Sequence, residues 1–100
     1  MNKNNFINYK SRIQSKKIVI VYFYSSECIK TNEIYKTLST KKNNVLFLSY
    51  NVEDSKNKKL IESLDVKIYP YFYIYKNGDM IDQILGTLNI DKILSQYVST

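Results

Sequence analysis

The chain has 100 residues, 44% of them hydrophobic, and a formal charge of +6 from 15 basic and 9 acidic side chains. That length bounds it to one small domain over residues 1–100 with a single modest core. Its longest apolar run, Ile18 to Tyr24, is far short of the roughly 20 residues a membrane helix needs, so no membrane span is expected.

The charge is lysine-based: Arg12 is the one arginine, and the densest clusters, Lys41-Lys42 and Lys56 to Lys59, fall at expected helix ends and loops. Lysines without guanidinium forks grip phosphate and guanine poorly, so no dedicated nucleic-acid function is expected. The polar start, Met1 to Asn5, leads into no apolar stretch and carries no signal-peptide pattern. One cysteine fits a reducing compartment and excludes an internal disulfide, which makes a cytoplasmic location the expectation. With no histidine and scattered carboxylates, neither a metal site nor a cofactor is expected.

In chain order, Phe6, Tyr9 and Ile13 recur at helical spacing and predict a helix over about 4–16. Lys17 to Ser25, apolar on both faces and rich in β-branched residues, reads as a central strand. Ile34 and Leu38, with Thr31 and Tyr35, mark a second helix from Ser26 to about Lys41, broken at Asn43-Asn44. Val45 to Val52 is a second strand. Asp54 or Ser55 caps a short helix whose one face carries Leu60, Ile61 and Leu64. Tyr71 to Lys76 and Met80 to Leu85 flank Asn77-Gly78, a strong hairpin signal. Asn89 caps a last helix carrying Ile90, Ile93, Leu94 and Tyr97. A strand–helix–strand crossover plus a closing hairpin gives an α/β fold, a mixed four-stranded sheet with helices on both faces.

Cys28 falls where the first strand breaks into a helix. A thiol there meets unpaired backbone N–H groups and the positive end of the helix dipole, both of which favour a thiolate. A lone cysteine is commonly a small buried hydrophobe, but this position favours chemistry. Lys30 favours a thiolate and Glu27 opposes it, or simply complements the dipole. Thr31 lies on the same helix face as Cys28 and offers a hydroxyl to the sulfur. The alternating Tyr69, Tyr71, Tyr73 and Tyr75 resemble a base-stacking platform, yet a strand packed under a helix gives the same pattern.

The order of elements, with Cys28 at the first crossover turn and Pro70 before the hairpin, resembles the thioredoxin family. The likeness covers nearly everything from Lys17 on. Phe23-Tyr24-Ser25-Ser26-Glu27-Cys28-Ile29-Lys30-Thr31-Asn32 stands where the family carries its Phe-Trp-Ala-x-Trp-Cys-Gly-Pro-Cys-Lys run. Tyr69-Pro70-Tyr71, Lys76-Asn77-Gly78-Asp79 and Gly86 match its later landmarks. The resemblance implies that Pro70 is cis and lies beside Cys28, exposing the Tyr69 backbone to an extended substrate segment. It also shows departures. Thr31 replaces the resolving cysteine, Tyr22 falls at the family's buried aspartate, Ser49 near its lysine partner, and Tyr71 at a usual threonine. Thioredoxins usually begin with a further strand that is not evident here.

A dithiol cycle inside one molecule is therefore excluded. The first expectation is a monothiol disulfide oxidoreductase, a monomer in which Cys28 forms mixed disulfides with protein or glutathione thiols. Thr31 would assist the sulfur, and Glu27, Lys30, Tyr69, Pro70 and Tyr71 would line the substrate groove. The alternative is a non-catalytic thioredoxin-fold module that binds protein through the same groove.

Overall fold

The computed structural model describes residues 2–40, 44–86 and 90–98, with side chains from residue 7 onward. Its elements are α1 (Asn2–Ile13), β1 (Ile18–Tyr24), α2 (Ile29–Ser39), β2 (Val45–Asn51), a 3-10 turn (Ser55–Asn57), α3 (Lys58–Ser63), β3 (Tyr71–Lys76), β4 (Asp79–Leu85) and α4 (Ile90–Val98). The sequence predicts this order. The sheet runs β2-β1-β3-β4, with β1 parallel to β2 and antiparallel to β3, and β4 antiparallel to β3.

β1 is apolar on both faces because it is sandwiched. Val19, Val21 and Phe23 join Tyr73 and Tyr75 in a core closed by Tyr9 and Ile13 of α1 and Leu60 and Ile61 of α3. Ile20 and Tyr22 join Phe72, Ile74 and Ile84 in a second core closed by Tyr35 and Leu38 of α2 and by Ile90, Leu94 and Val98 of α4. The tyrosine ladder of β3 thus packs under α1 and α3, as a helix-covered strand. Its hydroxyls are bonded: Tyr75 to Tyr9 at 2.6 Å, Tyr73 to the Leu64 carbonyl at 2.9 Å, and Tyr71 to Gln83 Oε1 at 2.9 Å.

Boundaries differ from expectation at a few places, each with a local cause. α1 ends at Ile13 rather than near 16, where the chain tightens into i→i−3 bonds from Gln14 and Ser15 and the Ser15 hydroxyl donates to the Arg12 carbonyl. α2 begins at Ile29, not Ser26, because Ser25 to Cys28 closes a turn of its own. Asp54 accepts from the Lys56 N–H and so caps the 3-10 turn ahead of α3. α3 ends with Asp65 at φ 57° and the Val66 N–H donating to the Ile61 carbonyl, a left-handed helix termination. The hairpin turns through Asn77 at φ 53° and Gly78 at φ 87°, the positive pair a type I′ turn requires. The expected break at Asn43, the extension to Lys41 and the Asn89 cap lie outside the described residues, as does the Phe6 side chain. Among the described residues, no helix is long and apolar enough to cross a membrane.

Candidate functional site

The site is built where β1 ends. Backbone pairing continues one step past the strands, the Val52 N–H donating to the Tyr24 carbonyl at 2.7 Å. The chain then folds over in four residues, with the Cys28 N–H donating to the Ser25 carbonyl at 3.1 Å. Glu53 Oε1 accepts from the Ser26 N–H at 3.0 Å, tying the turn to the segment after β2. Cys28 is the N-cap of α2, and its carbonyl accepts the first helical bond, from the Asn32 N–H at 2.8 Å. The N–H groups of Ile29, Lys30 and Thr31 therefore have no intrahelical acceptor. The Cys28 side chain makes no capping bond to them, so sulfur and donors share one end of the helix.

Opposite this turn stands the loop before β3. The Tyr69–Pro70 peptide is cis, as the resemblance implies. Ser25, Glu27, Cys28, Ile29, Lys30, Thr31, Tyr69, Pro70 and Gly86 together line an open groove of about 380 Å³. Its floor depends on glycine. The Gly86 N–H donates to the Pro70 carbonyl at 2.9 Å, and a Cβ at Gly86 would stand 2.8 Å from Pro70 Cγ and 3.2 Å from Thr31 Cγ2. Ile29 and Tyr69 are exposed beside the groove. Among the described residues, no hydrogen bond engages the Tyr69 backbone.

Of the residues singled out in the sequence, Cys28, Thr31, Glu27, Lys30, Tyr69 and Pro70 meet in this groove. Tyr71 does not: it turns to the α1/α3 face of the sheet, and its hydroxyl goes to Gln83. The strand alternation that buries Phe72 on one face puts Tyr71 on the other. The hydroxyl on the sulfur is also a different one. Ser25 Oγ lies 3.7 Å from Cys28 Sγ, whereas the methyl group of Thr31 would stand 3.2 Å from a Cβ at Gly86.

Two residues the sequence reading passed over, Ser25 and Asn32, complete the turn. Asn32 Nδ2 donates to the Ser25 carbonyl at 3.2 Å, and the Tyr22 hydroxyl donates to Asn32 Oδ1 at 2.5 Å. Their signal was spacing: Ser25 stands three residues before Cys28, and Asn32 four after it on the same helix face. Tyr22, at the position of the family's buried aspartate, is itself buried and pairs across the sheet with Ser49. Among the described residues, no cluster of three or more Cys, Asp or Glu side chains is placed to hold a metal ion.

Comparison with known proteins converges on one family. The Thioredoxin family model matches residues 1–99. The chain is 36% identical over 75 residues to thioredoxin of Ictalurus punctatus, covering 70% of this chain and 68% of that one. It is 33% identical over 78 residues to thioredoxin-1 of Caenorhabditis elegans, covering 75% and 66%. These matches thus span about two thirds of the relatives' length. Among solved structures, Chlamydomonas reinhardtii thioredoxin f2 superposes with a TM-score of 0.71 at 28% identity, covering 96% of this chain and 89% of that one. Oxidised thioredoxin from Plasmodium falciparum gives 0.69 at 26% identity, covering 91% and 86%. Sheet order, the cysteine turn facing a cis-proline and the sequence match agree, and the chain belongs to the thioredoxin family, whose members work in thiol–disulfide redox chemistry.

Proposed function

We propose that this protein is a monothiol member of the family, a cytoplasmic monomer that exchanges disulfides through Cys28 with protein or glutathione thiols. One observation carries the reading: Cys28 Sγ sits at the uncapped N-terminus of α2, inside a groove whose other wall is Tyr69 and Pro70. In the attack step, the Cys28 thiolate forms a bond to one sulfur of a substrate disulfide. The substrate S–S bond breaks, and the electron pair leaves on its second sulfur, which takes a proton from solvent. With no second cysteine in the chain, the mixed disulfide waits for an external thiolate. That thiolate attacks the substrate sulfur and returns the electron pair to Cys28. The Tyr69 backbone would pair with an extended substrate segment, and Ile29 and Tyr69 offer it apolar contact.

Incubation of the folded protein with oxidised glutathione, read by intact mass, tests the reading. The expected product carries one glutathione on Cys28, released by excess reduced glutathione and absent from Cys28→Ser. A native protein that stays unmodified until it is denatured would sink it. The groove would then be pursued as a non-catalytic protein-binding surface.

A further inference from the structure

Ser25 is the buried polar residue of the turn, 3% exposed, and among the described residues the hydrogen bonds of its side chain and carbonyl go to Glu27, Cys28 and Asn32. Its carbonyl accepts from the Cys28 N–H at 3.1 Å and from Asn32 Nδ2 at 3.2 Å. Its Oγ accepts from the Glu27 N–H at 3.2 Å and lies 3.7 Å from Cys28 Sγ. A serine hydroxyl has one hydrogen to give. The Glu27 N–H takes one of its two acceptor positions, and toward a thiolate, which can only accept, the hydroxyl must be the donor of the 3.7 Å contact.

Asn32 is held in turn. Burial first, and then the neighbouring Cys28 charge, push the Tyr22 hydroxyl up from its ordinary value, so it stays protonated. It can then donate to Asn32 Oδ1, which turns the amide so that Nδ2 faces the Ser25 carbonyl. Tyr22 and Asn32 thus hold the Ser25 backbone from the sheet side, and the Ser25 hydroxyl reaches the sulfur.

We infer that Ser25, fixed by Asn32 and Tyr22, is the hydrogen-bond donor that receives the Cys28 thiolate when a mixed disulfide is resolved. The inference rests on the monothiol exchange reading. In the release step, an external thiolate attacks the partner's sulfur, the bond between that sulfur and Cys28 Sγ breaks, and a new disulfide forms between attacker and partner. The electron pair goes to Cys28 Sγ, where the Ser25 O–H meets it. A better-stabilised leaving thiolate leaves faster. Ser25 therefore acts as a catalytic residue on the second half of the cycle, and Asn32 and Tyr22 are positioning residues.

The test starts from protein carrying glutathione on Cys28 and follows its release by excess 2-mercaptoethanol. Thermal unfolding of each variant checks that it is folded. A hydrogen bond to a charged group sets the expected slowing for Ser25→Ala at roughly tenfold. Ser25→Thr, which keeps the hydroxyl, should restore most of the rate, which a purely structural role would not require. Tyr22→Phe, which removes only the anchoring hydroxyl, should slow the same step a few-fold, and it carries the test if Ser25→Ala does not fold. If Ser25→Ala releases glutathione at the wild-type rate, or Ser25→Thr is as slow as Ser25→Ala, the inference fails while the exchange reading stands. An unchanged rate in Tyr22→Phe removes the positioning role and, where Ser25→Ala does not fold, overturns the inference. A wild-type protein that takes no glutathione overturns both.

Discussion

Cys28 owes its setting to three neighbours that are small or turned aside. Ser25 is small enough to be buried beside the sulfur, Thr31 presents its methyl group to Gly86, and Gly86 has no side chain to fill the space between Thr31 and Pro70. The last gives a sharp prediction. Gly86→Ala puts a methyl group 2.8 Å from Pro70 Cγ and 3.0 Å from Pro70 Cβ. A ring on the short loop before β3 and a β-branched side chain cannot both yield without moving the groove wall. Overpacking of this kind costs about 1–3 kcal/mol, so thermal or urea unfolding should show a loss of that order. Glutathionylation of Cys28 should slow as well. An unaltered stability and an unaltered rate would mean that the wall gives way freely.

At the scale of elements, α2 and β3 do the positioning, and their sequences show it unequally. The strands were legible because β1 is apolar throughout and β3 alternates tyrosine with Phe72 and Ile74, patterns that a buried sheet imposes. The hairpin was legible because positive φ at two consecutive positions suits Asn-Gly. The start of α2 was not. Ser26 and Glu27 are acceptable helix residues, but the local turn from Ser25 to Cys28, braced by Glu53 and Asn32, keeps them out of the helix. The termination of α3 was equally hidden, since a left-handed Asp65 has no pattern of its own. That residue offers a test: Asp65→Gly relieves φ 57° and replaces a side chain rarely found there. Glycine also gains freedom in the unfolded chain, so the two effects nearly cancel, and stability should change by no more than about 1 kcal/mol. A loss well beyond that would show that the Asp65 side chain itself holds the turn.

Across the whole molecule, the cores are tied together by tyrosine hydroxyls. Tyr9 bonds Tyr75 between α1 and β3, Tyr35 bonds the Leu48 carbonyl between α2 and β2, and Tyr22 bonds Asn32. Burial is the leading reason that Tyr9, Tyr22 and Tyr35 are all pushed up from the ordinary value of 10.0. Unfolded, these phenols release protons near pH 10; folded, they keep them to higher pH. Above about pH 10 the native state therefore binds more protons than the unfolded one, so stability falls as pH rises. Alkaline titration should show tyrosinate absorbance from the buried tyrosines appearing together with loss of secondary structure. Tyrosinate from every tyrosine ahead of unfolding would contradict the packing. The fold as a whole was readable from periodicity, but the site's polar support was not. Ser25 and Asn32 are common residues, and the bond from the Asn32 amide to the Ser25 carbonyl exists only once the chain is folded.

The fold makes Cys28 an available nucleophile rather than a buried hydrophobe. The rate of Cys28 alkylation by iodoacetamide at neutral pH, in the folded protein and in the same chain unfolded in urea, tests it most directly. The folded protein should react at least as fast as the unfolded chain, because Cys28 lines the groove at the N-terminus of α2, where its side chain makes no capping bond. A native thiol that reacts many-fold more slowly, and recovers only on unfolding, would contradict it.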